Sequence, residues 1–360
     1  MIYISAHSEV VGGGELSLLE LMQSLPALYQ PVLVLPEEGG LQRRAQQLGI
    51  ATSLLPMPKL GWRSLPASRH WLVGLRHLRP SLLHANNSRA AFYAGIAGRL
   101  LGIPVIFHCR ITEPDPRLDW LLVHLVHCVI ANSQATAARF RAWPKLPLTV
   151  AYNGIAVSAL PERAVETRGK PFGAQHILLC VARVSRWKRH NIVLDVFTHL
   201  AGTMPDLHLL CVGGPDPHDP EWWTEMQARS RSSAFAERIH WLGPQDDVGA
   251  WYQAADVLVL ASVREPFGRV VVEAMAWGVP VVAFRSGGVP EIITHAGQGC
   301  LIEEGNIVGM RDAVWRLLEN AALRKHVGEA GRERAQAFSV AAHVAAVCRA
   351  YEELLEADRE

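Results

Sequence analysis

The chain has 360 residues, of which 49% are hydrophobic and 19% charged. This composition excludes a disordered chain and, at roughly 100–200 residues per domain, points to two domains. The formal net charge of +1 gives no reason to expect nucleic acid or another polyanion as partner.

From the N-terminus, MIYISAHS is a first strand and lacks the features of a signal peptide. The predicted strands that follow are Val32–Leu35, Ala51–Leu55, Ser81–Ala85, Val105–His108, Cys128–Ala131 and Leu148–Ala151. Between them lie helical patterns over Glu15–Leu25, Leu41–Leu48, Ser68–Leu78, Arg89–Leu101 and Gln134–Phe140. The polar, Pro- and Gly-containing stretch Ser158–Gln175 interrupts the alternation and is expected to be an interdomain linker. Strands resume at His176–Ala182, Leu207–Val212, Ile239–Leu242, Val257–Leu260, Val279–Ala283 and Cys300–Ile302, and Val340–Leu355 is a last helix. Repeated strand–helix–strand units predict an α/β protein with two parallel, doubly wound sheets. The expected domains are residues 1–157 and 158–339, with the final helix, 340–360, returning to the first. The six cysteines include no C-x-x-C pair and mostly sit in apolar runs, which suits reduced core residues. Reduced cysteines suit a cytoplasmic protein, with peripheral attachment at the inner face of the membrane open, and with no apolar run of about 18 residues no membrane span is expected.

Ligands of doubly wound sheets bind beyond the carboxyl ends of the strands, and three loops there carry chemistry. Gly12-Gly13-Gly14-Glu15 follows the first strand and opens a helix, so its amides can approach an anion. With Ser17 in place of a third spaced glycine it is not a dinucleotide fingerprint, and a plain tight turn has even standing. Arg183, Arg186, Lys188 and Arg189 place four cations in seven residues after HILLCVA, an expected phosphate site rather than a solvated basic turn. The third loop is Arg264-Glu265-Pro266-Phe267-Gly268-Arg269, with Glu273 following on a helix over Val270–Trp277. The amides of Phe267, Gly268 and Arg269 at that helix start, flanked by two carboxylates, can cradle an anion and accept hydrogen bonds from hydroxyls.

E-P-F-G-x-x-x-x-E followed by AMAWGVPVVA resembles the signature of the retaining GT-B glycosyltransferases of family 4. WLGPQDDVGAWYQAADVLVLAS and SGGVPEIITHAGQGCLIEEG are similar to that family's C-terminal domain. GGGE, HANNSRAAFYAGIAGRLLGIPVIFHCR and VIANSQATAARF are similar to its N-terminal domain. The likeness covers most of the chain, but not Ser53–Pro80 or the linker. It implies two Rossmann-like domains facing across a cleft, an N-terminal acceptor-binding one and a C-terminal nucleotide-sugar donor-binding one. It implies that Arg183 and Lys188 stabilise the donor diphosphate, Glu265 contacts the transferred sugar, Glu273 holds the ribose, and Gly13 and Gly14 approach the phosphates. His108, which taken alone is equally a satisfied core histidine, would contact the donor sugar. Three departures stand out: Ala182-Arg183-Val184 where the family has G-R-L, Arg189 where it has glycine, and Ala156 where it has aspartate.

The implied reaction is transfer of a sugar from a UDP- or GDP-linked donor to an acceptor hydroxyl with retention, in polysaccharide or glycolipid synthesis. The alternatives are a nucleotide-sugar 2-epimerase of the same fold and a non-catalytic nucleotide-sugar-binding protein. With no D-x-D motif, no metal and no cofactor are expected; His124, His127 and Cys128 are a helix end and a strand rather than a zinc site. Pro56–Pro80 carries Lys59, Arg63, Arg69, Arg76 and Arg79 interleaved with Trp62 and Trp71 and contains no acid. That suits an anionic membrane surface and a lipid-linked sugar acceptor. A helix with Trp71 and Leu72 inward and a solvated basic face suits the same residues equally well.

Overall fold

The structure, a computed structural model, describes residues 1–10, 12–59, 61, 64–156 and 170–357. It falls into two units: Met1–Gly154 with Ser339–Glu360, and Ile155–Phe338. The division lies a few residues before the expected one at 157/158. Trp62, Arg63, residue 157 and residues 158–169 of the expected linker lie outside the described residues.

In the first unit the chain runs β1 (Ile2–Ile4), α1 (Gly13–Gln23), β2 (Val32–Leu35), α2 (Gly40–Gln47), β3 (Ala51–Leu54), α3 (Ser64–Leu78) and β4 (Leu83–Ala85). It continues through α4 (Ser88–Leu101), β5 (Val105–Cys109), α5 (Pro116–Leu125), β6 (Cys128–Ala131), α6 (Gln134–Ala137) and β7 (Leu148–Val150). The seven strands pair in parallel in the order β3-β2-β1-β4-β5-β6-β7. The order reverses between β1 and β4, so the loops after these strands diverge and leave a crevice at their carboxyl ends. β4, β5 and β6 are buried at every position. A strand covered on both faces needs a continuous apolar run, and the sequence supplies one.

Each face of this sheet has its own core. Trp71, Leu75, Tyr93 and Leu122 of α3, α4 and α5 cover one face. Leu18, Leu21, Leu41, Val347 and Tyr351 cover the other, the last two from the C-terminal helix. Between α5 and the segment after α6, the carboxylate of Asp119 pairs with the guanidinium of Arg139, both almost wholly buried.

In the second unit the order is β8 (His176–Val181), α7 (His190–Ala201), β9 (Leu207–Val212), α8 (Pro220–Arg231), β10 (Ile239–Gly243), α9 (Gly249–Ala254) and β11 (Val257–Leu260). Then follow α10 (Arg269–Ala276), β12 (Val281–Phe284), α11 (Val289–Ile292), β13 (Cys300–Ile302), α12 (Ile307–Glu319) and α13 (Ala321–Ala335). Helix α14 (Val340–Ala357) belongs to the first unit. The second sheet is also parallel, β10-β9-β8-β11-β12-β13, and reverses between β8 and β11.

Several local expectations need correction. β12 was expected from Val279, but Pro280 has no N–H to give the ladder and the strand starts at Val281. Lys170–Gln175, expected as linker, packs on the second unit: Lys170 pairs with Asp256, and Phe172 stacks on His240 with ring centroids 3.8 Å apart. Trp71 is not a membrane anchor. It is fully buried, stacks on Tyr93 at 5.9 Å, and donates its indole N–H to the Pro56 carbonyl at 3.0 Å. Arg69, Arg76 and Arg79 do remain on the surface. Among the described residues no helix is long and apolar enough to cross a membrane. All six cysteines are free, and burial pushes the Cys128 and Cys180 thiols up to about 12, which leaves them inert.

Candidate functional site

In the second unit, chemistry gathers at the reversal point between β8 and β11. After β8 the chain makes a single 3-10 turn, Arg186–Lys188, and Arg189 closes it in the left-handed region at φ 54°. This explains the glycine that the family carries there: a side chain in that region costs about 1–2 kcal/mol. The turn sorts the four cations. Arg186 swings away onto Asp219 at 2.9 Å and over the ring of Trp222, and Arg189 is exposed. Arg183 and Lys188 stay half-buried.

Backbone bonds hold the neighbouring loops against this turn. The Val184 N–H donates to the Gly214 carbonyl at 2.8 Å and the Asp216 N–H to the Val184 carbonyl at 3.2 Å. These bonds set the Asp216 carboxylate 3.6 Å from Nε of Arg183. The Val263 N–H donates to the Trp187 carbonyl at 2.9 Å, tying the loop after β11 to the same turn. Lys188 can therefore reach Glu265: Nζ donates to Oε2 at 2.6 Å while lying 3.9 Å from the centre of the Trp187 ring. An ammonium has three N–H donors and this one uses a single hydrogen bond among the described residues, so it can still take an anion.

The loop carrying Glu265 is fastened on its far side as well. Arg264, at φ 53°, donates its N–H to Oγ of Ser286 at 2.7 Å, and the Gly288 N–H donates to the Glu265 carbonyl at 2.8 Å. Phe267 is buried. Gly268, at φ 103°, takes a backbone conformation open to glycine and caps α10, which begins at Arg269 rather than at the expected Val270. Glu273 lies one turn into α10. Its carboxylate accepts from Nε of Arg269 at 2.7 Å and from the Tyr252 hydroxyl at 2.9 Å. Burial and the Glu273 charge push the Tyr252 phenol well above its usual range, so it stays a donor. A carboxylate offers about four acceptor positions. Glu273 thus keeps capacity for hydroxyl donors while its orientation is fixed.

In the first unit the loops after β1, β4 and β5 meet around Arg110. Its Nε donates to Oδ1 of Asn86 at 2.7 Å, one Nη to Oδ1 of Asn153, and the other Nη to Nδ1 of His108 at 3.3 Å. Asn86 in turn donates to the Gly14 carbonyl at 3.4 Å. Helix α1 starts at Gly13, so Gly13 and Gly14 form its first turn, and a Cβ on Gly14 would lie 3.3 Å from Cδ of Arg110. The Gly12 amide is already taken by Glu15 at 3.1 Å, and the other Glu15 oxygen meets Nδ1 of His7 at 2.9 Å.

His108 is fully buried and lies 3.1 Å from Nε2 of His84. Burial, with Arg110 beside them, pushes both imidazoles well below their usual range, and burial takes His190 in the second unit to about 3. These groups bind protons in the unfolded chain that they refuse in the native one. Stability is therefore fully present above about pH 6.5 and falls as pH drops below it. The expected loss is up to about 1.4 kcal/mol per pH unit for each histidine. Thermal melts from pH 7.5 to 5 check it; a midpoint that stays level or rises on acidification would contradict the burial of neutral imidazoles.

The expected site residues thus form two sets, Arg183, Lys188, Glu265, Phe267, Gly268, Arg269 and Glu273 in one unit and Gly13, Gly14 and His108 in the other. Sequence reading missed Asp216, Tyr252, Asn86 and Arg110. The first two are partners reached only through tertiary contacts. Arg110, two residues beyond His108 at a strand end, carried a signal that its neighbour overshadowed. At the metal reading set aside above, His124 Nδ1 bonds the Trp120 carbonyl, His127 Nδ1 accepts from the Val105 N–H, and the Cys128 thiol points to the Val129 carbonyl.

Two family descriptions match the chain: "Glycosyltransferase Family 4" over residues 11–159 and "Glycosyl transferases group 1" over residues 166–334. N-acetyl-alpha-D-glucosaminyl L-malate synthase of Bacillus anthracis is 33% identical over 193 residues, 53% of this chain and 49% of that protein. The lipopolysaccharide core biosynthesis mannosyltransferase LpsB of Rhizobium meliloti is 27% identical over 241 residues, 65% of this chain and 68% of that protein. The chain spans about half the length of most curated relatives it matches. Among solved structures, Anabaena Alr3699/HepE in complex with UDP and glucose superposes with a TM-score of 0.85 at 22% identity, over 98% of this chain and 99% of that one. This last likeness concerns the fold.

Proposed function

From the premise that the chain belongs to the family-4 glycosyltransferases of the GT-B fold, we propose that it transfers a sugar from a nucleoside diphosphate to an acceptor hydroxyl in glycoconjugate synthesis. The observation that carries this reading is the Lys188–Glu265 pair at the β8/β11 reversal point, with Arg183 on the same loop after β8 and Glu273 on the helix that follows Glu265. Loss of the sugar concentrates negative charge on the diphosphate. Arg183 and Lys188 stabilise that charge, the kind of preorganised electrostatics that dominates many enzymes. Glu273, oriented by Tyr252 and Arg269, accepts from the ribose hydroxyls, and Glu265 from the transferred sugar.

Retention follows from departure and attack on one face, the leaving phosphate taking the acceptor proton. Glu265 is a poor candidate for a nucleophile, because Lys188 holds one of its oxygens at 2.6 Å. A double displacement needs a free carboxylate at the anomeric carbon. UDP is the favoured nucleotide, supported by the solved HepE complexes with UDP and with UDP-glucose. The acceptor belongs to the first unit. The exposed Arg69, Arg76 and Arg79 of α3 and its end support a lipid-linked acceptor at an anionic surface, without help from Trp71.

The test is turnover of a panel of UDP-, GDP- and ADP-sugars in EDTA, followed by NMR of the anomeric proton. Release of nucleoside diphosphate with the donor's anomeric configuration kept in the product supports the reading. Acceptor-independent change at C2 of the sugar would make the protein an epimerase, and no turnover of any donor would leave a binding protein.

A further inference from the structure

The first unit contains a line of buried hydrogen-bonding groups that ends at His108, and its other three members have no part in the proposed reaction. The Tyr3 and Tyr351 hydroxyls are 3.0 Å apart. The Tyr351 hydroxyl is 2.7 Å from Nδ1 of His84, and Nε2 of His84 is 3.1 Å from Nδ1 of His108. The four side chains are all essentially inaccessible to water and come from β1, β4, β5 and α14. At its far end, Nε2 of His108 is buried with no hydrogen-bond partner among the described residues.

The direction of every bond follows from one cation. A guanidinium has only donors, so the 3.3 Å contact from Arg110 to Nδ1 of His108 requires that nitrogen to be a bare acceptor. A proton on Nδ1 would face an N–H of Arg110. The bond between the imidazoles must then run from Nε2–H of His84 to Nδ1 of His108. His84 is neutral in its buried setting, so its Nδ1 is bare and accepts from the Tyr351 hydroxyl. Tyr351, having spent its proton, accepts from Tyr3. His108, with Nδ1 bare, carries its proton on Nε2.

We infer that Tyr351 and His84 are positioning residues that hold His108 as an Nε2–H donor for an oxygen of the bound substrate. The identification of that oxygen as one of a sugar substrate rests on the glycosyltransferase reading; the tautomer does not. The unpartnered N–H is the observation that points to a ligand, because a buried donor left without an acceptor is destabilising. A substrate oxygen removes that cost only when it binds. The relay also gives α14 a task beyond covering the sheet, since Tyr351 lies on it. The charged and titratable groups facing His108 are Arg110, His84 and, from α14, His343, whose ring centre is 5.9 Å away.

The experiment is a long-range proton–nitrogen correlation spectrum of the histidine-labelled full chain, with His84 and His108 assigned by difference from His84→Gln and His108→Gln. Expected are protonated-type Nε2 and bare-type Nδ1 signals for both rings. Tyr351→Phe removes the donor to Nδ1 of His84, so the His84 ring should redistribute towards its Nδ1–H tautomer, leaving Arg110 as the remaining donor to Nδ1 of His108. With the preferred donor sugar, kcat/KM should fall about 3- to 10-fold, the worth of one neutral hydrogen bond. Tyr3→Phe leaves the Tyr351–His84 bond in place and should keep both tautomers and kcat/KM within about twofold. A purely structural role would lower the melting midpoint in both variants and leave the tautomers unchanged. An Nδ1–H or doubly protonated His108 in the parent protein, or unchanged tautomers in Tyr351→Phe, overturns the inference. Should Tyr351→Phe not fold, the parent spectrum decides. Absence of any turnover in the parent protein would strike the glycosyltransferase reading and leave the tautomer result standing.

Discussion

Replacing Lys188 by alanine is expected to lower kcat by about 100- to 1,000-fold, the usual effect of deleting one donor aimed at charge that develops in the transition state. The magnitude is set by the site's preorganisation. Lys188 is held over Trp187 and against Glu265 before any substrate arrives, so no reorganisation is needed as the diphosphate departs. The same substitution leaves the Glu265 carboxylate nearly buried without its partner, and breaking such a pair costs about 3–5 kcal/mol. A loss of activity could then reflect a loss of fold. Lys188→Met combined with Glu265→Gln separates the two, since neutralising both partners removes the orphan charge. The double variant should melt close to the parent protein and remain as inactive as Lys188→Ala. A stable double variant that retains parental kcat would remove Lys188 from the chemistry.

Gly287→Ala should be nearly as damaging although residue 287 offers no side chain to a substrate. Its φ of 58° lies where a side chain is strained, and a Cβ built there falls 1.9 Å from the Glu265 carbonyl oxygen. No rotamer can relieve a clash with backbone. The loop after β12 must move away from the loop after β11, breaking the bond from the Gly288 N–H to that same carbonyl. The combined strain and lost packing amount to about 3–4 kcal/mol. Because Glu265 is the residue displaced, kcat should fall by at least tenfold even in the molecules that stay folded. Thermal melts and steady-state kinetics on the same preparation check both parts. A variant with parental stability would mean that the two loops are not in contact as described.

The sheets were legible because parallel strands buried on both faces must be written as short continuous apolar runs, and Val32–Leu35, Cys128–Ala131, Leu207–Val212 and Val257–Leu260 keep the expected limits. Of helix α5 only the end, at His124, was read, although its start is marked in the usual way: Asp115 caps it, accepting from the Leu118 N–H at 3.1 Å, and Pro116 opens it. The site was partly legible because its residues sit in local motifs at strand ends. What those residues do to one another was not. Lys188 and Glu265 are 77 positions apart and meet through a loop bond from Val263 to Trp187. Tyr351 and His84 are 267 positions apart and meet because the chain returns to the first sheet at its end. Four cations clustered in sequence suggested one phosphate site, whereas a single 3-10 turn sends Arg186 outward to Asp219 and keeps Lys188 in. Periodicity carries no information about such partnerships, because they depend on which loops the strand order brings side by side.

On the proposed function the second unit binds a nucleoside diphosphate through its own side chains, and titration calorimetry of UDP and GDP in EDTA tests this most directly. The parent protein should bind one of the two. Glu273→Gln should weaken binding about tenfold or more, as expected for hydrogen bonds to a charged group, and Lys188→Met with Glu265→Gln should weaken it further. Binding that needs added manganese, that is absent for both nucleotides, or that is unchanged in these variants would contradict the account.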